Sequence, residues 1–586
     1  FMTADPKKVE KAFAIRNLSY SEAMELSHFG AKVVYTPTIQ PVFKKNIPVK
    51  VLNSFNPDAP GTVICSSDLN HTDSPIKGIS SIDNISLITL VGAGLVGVTG
   101  ISSRLFSSLA KNSVNVILIT QASSEYSITF AVNPADTRKA IKAIKNEFEA
   151  EIDYKKEITI LLEENLSIIA IVGEKMKNTP GISANLFTSL GRSGISVIAT
   201  AQGSSELNIS VVIKNIYLKK ALNVIHDGFF LSKYKDLHLF LIGIGTVGKS
   251  LLRQIENQQE KLLHNHKLKI NLVGISNSRK MLLNEGGIDL HNYLDRLNEE
   301  GVKANINEFV AKMAAMNIRN SVFIDCTANE DVAKLYNKVL DSYISIVAAN
   351  KIACSSEYSL YKELKTKARD KNIKFIFETN VGAGLPIIST INDLIKSGDK
   401  IIKIEAVLSG TLNFVFNVLS ADVPLSEAVR MAKEKGFSEP DPRIDLSGID
   451  VVRKILILSR EAGYEIEKKD VEIHTFLPKE CFEGPVEDFW KKLPHYDEEF
   501  ENKRKKLEAS NKCWRFVAKL EDGKASVELM EVGQNHPAYH LEGSNNIILI
   551  TTERYKEQPM IIKGYGAGAE VTAAGVFADI IRVANV

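Results

Sequence analysis

At 586 residues the chain is too long for one hydrophobic core and calls for about three or four domains. Its 72 basic and 70 acidic residues leave a net charge of +2, which gives no electrostatic case for nucleic acid or an acidic membrane surface. No apolar run approaches the ~18 residues that span a bilayer, and no secretory signal is visible; the five scattered cysteines (Cys65, Cys326, Cys354, Cys481, Cys513) form no C-x-x-C pair, so they read as reduced thiols of a cytoplasmic protein without a zinc site.

The first segment, residues 1 to about 75, predicts a helix over 20–30, with apolar positions at helical spacing and Gly30 as its stop. A strand over 49–53 and a turn over 56–61 follow. Phe1 stands directly before Met2 inside what reads as a folded unit, so the sequence is taken as a fragment of a longer polypeptide.

Residues 80 to about 232 contain an internal repeat at an offset of 81. Gly100-Ile-Ser102 recurs as Gly181-Ile-Ser183, Leu105-Phe106 as Leu186-Phe187, and Gln121-Ala-Ser-Ser-Glu125 as Gln202-Gly-Ser-Ser-Glu206. Each copy reads strand, helix, strand, strand, helix, which predicts paired ferredoxin-like modules. The glutamines offer both a donor and an acceptor, suited to a zwitterion and a hydroxyl. A repeat that only builds an interface is the alternative. Gly92-Ala-Gly-Leu-Val-Gly97 matches G-x-G-x-x-G, but at the repeat offset Gly94 becomes Lys175 and Gly97 becomes Asn178. The module does not require those glycines, and the run is rejected as a nucleotide site.

From about 236 the pattern is doubly wound α/β. An apolar strand over 237–243 leads into Gly243-Ile-Gly245-Thr-Val-Gly248 and a helix from Lys249 onward, and strands follow over 270–275, 322–325, 344–347 and 375–378. In that context the glycines let the backbone approach a pyrophosphate at a helix N-terminus. The acid that usually binds a ribose after the second strand is missing. Asn277-Ser-Arg279-Lys280 stands there, and an arginine can accept a 2′-phosphate, which favours NADP or at least admits it; a surface basic pair is the alternative. A second lobe spans about 381–560, with a strand over 547–552 and a solvated charged helix over 497–508.

The run 436–454 brings carboxylates and a lysine together. Pro440 and Pro442 fix φ and place Glu439 and Asp441 on an ordered loop. Ser447 and Asp450 read as a capping box and Gly463 as the helix stop. Asp450 and Lys454, four apart, share one helix face ahead of the apolar run 455–458, with Glu439 and Asp445 available for a cationic group. For an arbitrary helix a solvated salt bridge is the commoner reading; the Pro-X-Pro brace and the apolar run behind the lysine favour a proton-handling pair, and the spacing alone does not decide.

These motifs, in this order, closely resemble the homoserine dehydrogenases, and over essentially its whole length the chain resembles the bifunctional aspartokinase–homoserine dehydrogenases. Thr3-Ala-Asp-Pro6 and the run 22–32 resemble the end of an aspartokinase catalytic domain, but the family's Lys-Phe-Gly-Gly phosphate run is absent, so kinase activity is expected only of the parent chain. The resemblance implies an α/β and α+β multidomain fold: a kinase remnant over 1–75, ACT domains over 80–155 and 156–232, a Rossmann-type NAD(P)-binding domain over 236–380 completed by 561–586, and a catalytic and dimerisation domain over 381–560.

It further implies reversible reduction of L-aspartate 4-semialdehyde to L-homoserine for threonine, methionine and isoleucine biosynthesis. Lys454, Lys351 and Asp450 would be catalytic, and Glu439, Asp445, Gly410 and Thr411 would bind substrate. Gly243, Gly245, Thr246, Val247, Gly248, Asn277, Arg279, Thr327, Lys351 and Gly566 would bind NADP or NAD. A monovalent cation, sodium, would sit on Glu378 and the carbonyls of Val381, Ala383 and Leu385. Gln121 and Gln202 would bind an amino-acid effector, threonine. A homodimer or homotetramer is expected, with neither nucleic acid nor membrane as partner. The alternative is an amino-acid-sensing ACT protein with an inert dehydrogenase domain.

Overall fold

The computed structural model describes residues 1–30, 33–56, 59–66, 75–121, 125–176, 179–203, 207–230, 235–438 and 440–584. It divides into two compact units, Phe1–Tyr234 and Lys235–Val586.

In the first unit, β1 (Asn17–Ser19), β2 (Val49–Val51) and β3 (Thr62–Cys65) form a small sheet in the order β1-β3-β2. The helix Tyr20–His28 follows β1, capped by Ser19 and Glu22 in a reciprocal box. The larger sheet is built from β4 (Gly78–Val91), β5 (Val116–Gln121), β6 (Ser127–Val132), β7 (Thr159–Val172), β8 (Ala199–Gln202) and β9 (Asn208–Lys214), in the order β5-β6-β4-β7-β9-β8. All its pairings are antiparallel. Each repeat supplies strand, helix, strand, strand, helix, and β4 pairs with β7 so that Ile85 faces Leu166, its own counterpart in the repeat. Two half-sheets thus fuse about a local two-fold axis. Leu18, Tyr20, Ala23 and Leu26 pack with Ile85, Leu118, Ile168 and Ala170, so the N-terminal segment covers one face of the sheet. The glycine run 92–97 follows β4, whose neighbours β6 and β7 both run antiparallel to it.

The second unit opens with β10 (Lys235–Ile242), β11 (Leu268–Ser276), β12 (Lys280–Leu283), β13 (Val302–Lys303), β14 (Ser321–Asp325), β15 (Ser345–Ala348) and β16 (Phe375–Ile376), in the order β13-β12-β11-β10-β14-β15-β16. β11, β10, β14, β15 and β16 are parallel. The antiparallel additions β12 and β13 are too short to register as strands in the residue pattern. The strand expected over 375–378 ends at Ile376, because residues Glu378–Asn380 form a single helical turn. After β10 the chain winds to one side and then returns to β14 on the other. The carboxyl ends of β10 and β14 therefore flank a switch point, where open α/β sheets bind ligands.

The second sheet of this unit contains β17 (Ile401–Val407), β18 (Val471–Ile473), β19 (Lys512–Glu521), β20 (Lys524–Gly533), β21 (Asn545–Thr552) and β22 (Met560–Tyr565), in the order β18-β20-β19-β17-β21-β22. The helix Ile449–Glu461 packs on β19 and β20, burying the run Ile455 to Leu458. The final helix, Ala569–Ala584, returns to the nucleotide sheet: Ala573, Val576 and Ile580 pack with Leu251, Leu252 and Ile255 of the helix Thr246–His266. Among the described residues no helix is long and apolar enough to cross a membrane.

Candidate active site

The turn after β10 is shaped by three glycines for three different reasons. Gly243 has φ +98°, and a Cβ there would lie 2.7 Å from the Cys326 carbonyl oxygen. Gly248 packs so tightly that a Cβ would sit 2.1 Å from the Gly243 carbonyl oxygen. Gly245, the N-cap of the helix Thr246–His266, has nothing within 4 Å of its Cβ position, which leaves open space over the first turn that carries Thr246 and Val247. Open space over a helix N-terminus fits a pyrophosphate. Gly248→Ala is expected to weaken dinucleotide binding at least about tenfold by forcing this turn apart; a fluorescence titration with reduced dinucleotide checks it, and unchanged affinity would contradict it.

At the end of β11, Asn277 Oδ1 accepts the amides of Arg279 and Lys280, both at 2.7 Å, in a tight turn that leaves the Arg279 side chain exposed. Thr327, beyond β14, donates its amide to Asp325 Oδ1 at 2.8 Å. Gly566 lies against Asn546, whose Nδ2 would be 1.9 Å from a Cβ at 566.

Lys351 follows β15 at the mouth of the same crevice. Its Nζ lies 3.1 Å from Asp450 Oδ1, and Lys454 Nζ lies 2.8 Å from Asp450 Oδ2. One carboxylate therefore bridges two amines that come from different domains of the unit. Lys454 is 7% exposed and donates a second hydrogen bond, 2.6 Å, to the Leu408 carbonyl at the end of β17. Burial pushes the Asp450 carboxyl up, but the ammonium groups of Lys454 and Lys351 outweigh it and hold the carboxyl well below the usual range. Burial, and then the charge of Lys454, lowers the pKa of Lys351. The Asp450 side chain is 46% exposed, so the cluster opens to solvent on one side.

No capping box starts this helix. Ser447 donates to the Ile444 carbonyl at 2.8 Å and ends the short helix Arg443–Leu446, and Gly448 is the N-cap instead, at φ +72°. A Cβ on Gly448 would meet the Phe516 ring at 2.9 Å, so glycine is required there on both counts. Gly463, at φ +94°, does lie just past the helix end. Asp441 is engaged by Arg443, at 2.6 Å, while Asp445 accepts the hydroxyls of Thr411 at 3.3 Å and Ser438 at 3.2 Å. Glu439 lies outside the described residues. Gly410 and Thr411 open the helix Gly410–Val418, whose N-cap Ser409 accepts the Leu412 amide at 3.1 Å.

The Glu378 carboxylate accepts the amides of Ile388 (2.6 Å) and Ser389 (3.0 Å) and pairs with Arg582 at 2.8 Å. It caps the helix Ile388–Lys396 and ties it to the final helix. Asp579 Oδ2 accepts the Glu378 amide at 3.0 Å; burial, and then the facing Glu378 charge, pushes Asp579 up to about 7. The loop carrying Val381, Ala383 and Leu385 closes on the final helix, where a Cβ on Gly384 would be 2.6 Å from the Val571 carbonyl oxygen. Thr379 Oγ1 and Asn380 Oδ1 are buried with no hydrogen-bond partner among the described residues. In the first unit, Gln121 and Gln202 end β5 and β8 with exposed side chains. Gln202 lines a cleft of about 340 Å³ with Gly181, Ile182 and Ser183, the residues that repeat Gly100, Ile101 and Ser102.

Residue patterns alone missed Asp325, Asn350, Asn546 and Asp579. All four are buried polar groups, and spacing carries no signal for burial.

Comparison with known proteins follows the same divisions. The family "ACT domain" matches residues 88–148 and 169–229, again at an offset of 81. "Homoserine dehydrogenase, NAD binding domain" matches 243–378, "Homoserine dehydrogenase" matches 386–581, and "Amino acid kinase family" matches 1–53. The chain is 42% identical over 592 residues to bifunctional aspartokinase/homoserine dehydrogenase 1, chloroplastic, of Arabidopsis thaliana; the match covers 99% of this chain and 65% of the relative. It is 40% identical to the bifunctional aspartokinase/homoserine dehydrogenase of Haemophilus influenzae, covering 99% of this chain and 71% of that one. A Candida auris protein of unknown function, solved by crystallography, matches with a TM-score of 0.56 at 34% identity, over 60% of this chain and 99% of its own.

Proposed function

The chain belongs to the bifunctional aspartokinase/homoserine dehydrogenase family, and from that premise we propose that it interconverts L-aspartate 4-semialdehyde and L-homoserine with NADP or NAD, as a step in threonine, methionine and isoleucine biosynthesis. The observation that carries this reading is Asp450 bridging Lys454 and Lys351, the latter just past the carboxyl end of β15 in the nucleotide sheet. The bound nicotinamide supplies the hydride that reduces the aldehyde carbon.

Lys454 donates a proton to the carbonyl oxygen as that oxygen takes on negative charge, and Lys351 adds positive charge beside it. Asp450 keeps both amines aimed and charged. Asp445, with Glu439, holds the substrate ammonium, and the amides of Gly410 and Thr411 receive its carboxylate. In the oxidising direction the proton of the substrate hydroxyl returns along the same path to Lys454. Exposed Arg279 supports a preference for a 2′-phosphate, hence NADP. The carbonyls of the 378–385 loop would hold a sodium ion, with the Glu378 carboxylate remaining a helix cap. That ion would stiffen the loop on which the final helix rests.

The decisive experiment incubates the protein with L-homoserine and each oxidised dinucleotide and follows formation of the reduced form. Absence of reduction with both would end this reading and leave the sensor-only alternative. The cleft at Gln202 supports an amino-acid effector, which we take to be threonine, acting by favouring one of two conformations. Gln121→Ala and Gln202→Ala are each expected to raise the threonine concentration needed for inhibition about tenfold; inhibition curves that coincide with the parent's would discard the site. We further propose assembly as a homodimer or homotetramer through the sheet β17–β22. The five cysteines, all free, support a reducing, cytoplasm-like compartment.

A further inference from the structure

Asp325 ends β14 at one lip of the switch point and is 0% exposed. Its Oδ1 accepts the Thr327 amide at 2.8 Å, and its Oδ2 accepts the Tyr336 hydroxyl at 2.8 Å and the Asn350 side-chain amide at 3.0 Å. Three neutral donors converge on two oxygens, the pattern that suits an ionised carboxylate without a counter-cation. Burial is the largest influence and raises the pKa of this group, and the bonds from Thr327, Tyr336 and Asn350 offset only part of that rise, so the charge is assigned from the three converging donors.

The position bears on the crevice from two directions. Cys326 O and Thr327 Cγ2, in the residues directly after Asp325, lie 2.7 and 2.8 Å from a Cβ built on Gly243, so this segment floors the dinucleotide turn. Asn350, hydrogen-bonded to Asp325, directly precedes Lys351, and the Ala349 amide bonds the Asp325 carbonyl at 2.8 Å. Lys351, Asp450 and Lys454 together carry one net positive charge. A nicotinamide that has lost its hydride is itself cationic, so that cluster alone would repel the oxidised cofactor.

Resting on the dinucleotide reading above, we propose that Asp325 is a fixed negative charge of the crevice that favours the oxidised, cationic nicotinamide over the reduced, neutral one. It offsets the surplus charge of the lysine cluster and allows the site to hold both forms, as a reversible reaction requires. A unit charge acting over a single-domain crevice changes the relative affinity of the two forms by about tenfold.

The test measures dissociation constants of oxidised and reduced dinucleotide by calorimetry, in the parent protein and three variants. Asp325→Asn is expected to weaken the oxidised form about tenfold more than the reduced form. Tyr336→Phe, which removes a neutral donor and no charge, should move both forms alike. The exchange Asp325→Asn with Asn350→Asp returns the negative charge to the same pair of positions, at the loss of the Asn350 donor to the Asn329 carbonyl (2.9 Å), and should return the ratio to within about twofold of the parent. That exchange also answers the case in which Asp325→Asn alone does not fold. Equal weakening of both forms in Asp325→Asn, or a ratio the exchange does not restore, would overturn the proposal and leave Asp325 a loop support. A parent protein that binds neither form would instead sink the dinucleotide reading and the proposal with it.

Discussion

Replacing Lys454 with alanine is expected to lower turnover in both directions by ~10²–10⁴-fold, while the affinity for dinucleotide persists. The amine is buried and held at two points, Asp450 Oδ2 at 2.8 Å and the Leu408 carbonyl at 2.6 Å, so two of its three protons are placed by the protein and the third is available to a ligand. Alanine removes the proposed proton donor and its amine together. Water entering the vacated space can satisfy the Leu408 carbonyl, and the stability loss stays within about 1–3 kcal/mol. Steady-state kinetics with homoserine and with the semialdehyde, beside a fluorescence titration of reduced dinucleotide, separate the two effects. Turnover within a few fold of the parent would remove Lys454 from the chemistry.

Asp450→Asn is expected to lower turnover by about 10²-fold and to shift the pH dependence on both sides. The parent carboxylate stabilises the ammonium form of Lys351; without it, that amine releases its proton more readily. The basic limb of the reduction rate, which reports loss of the positive charge that Lys351 holds beside the developing alkoxide, therefore moves to lower pH. Stability changes on the acid side. The folded-state pKa of Asp450 is lowered, so its contribution is complete above the unfolded value of about 3.9 and disappears as pH falls through the folded value. The variant lacks that contribution, so its melting temperature falls less between neutral and acid pH than the parent's. Because the carboxylate is half-exposed, solvent screening limits the neutral-pH loss to about 1–2 kcal/mol. A basic limb that stays in place would remove Lys351 from the charge stabilisation of the alkoxide.

Much of this architecture was legible in the residues because it is local or periodic. The 81-residue repeat announced two copies of one module, and the structure joins them through β4 and β7. The run Gly243–Gly248 was separable from its counterpart at 92–97 by what surrounds it, since only the former follows a strand of a parallel sheet. Asp450 and Lys454 shared a face at a spacing of four. The start of that helix was misread because a serine followed three residues later by an acid is the capping signature, yet Gly448 takes the left-handed turn first. The 375–378 strand was overextended because Glu378 turns away to cap a helix ten residues on.

The sequence by itself determined which modules the chain contains and which local partners share a helix face, because periodicity, glycine punctuation and i,i+4 geometry need only neighbouring residues. Only the tertiary structure decided that Lys351 meets Asp450 across 99 positions, that the Leu408 carbonyl anchors Lys454, and that Asp325 stands buried among neutral donors. Those contacts depend on sheet order and on how one helix seats against two domains. The buried bonds of Lys454 and Asp325 draw their strength from the exclusion of water, which belongs to the packed molecule and to no stretch of its sequence.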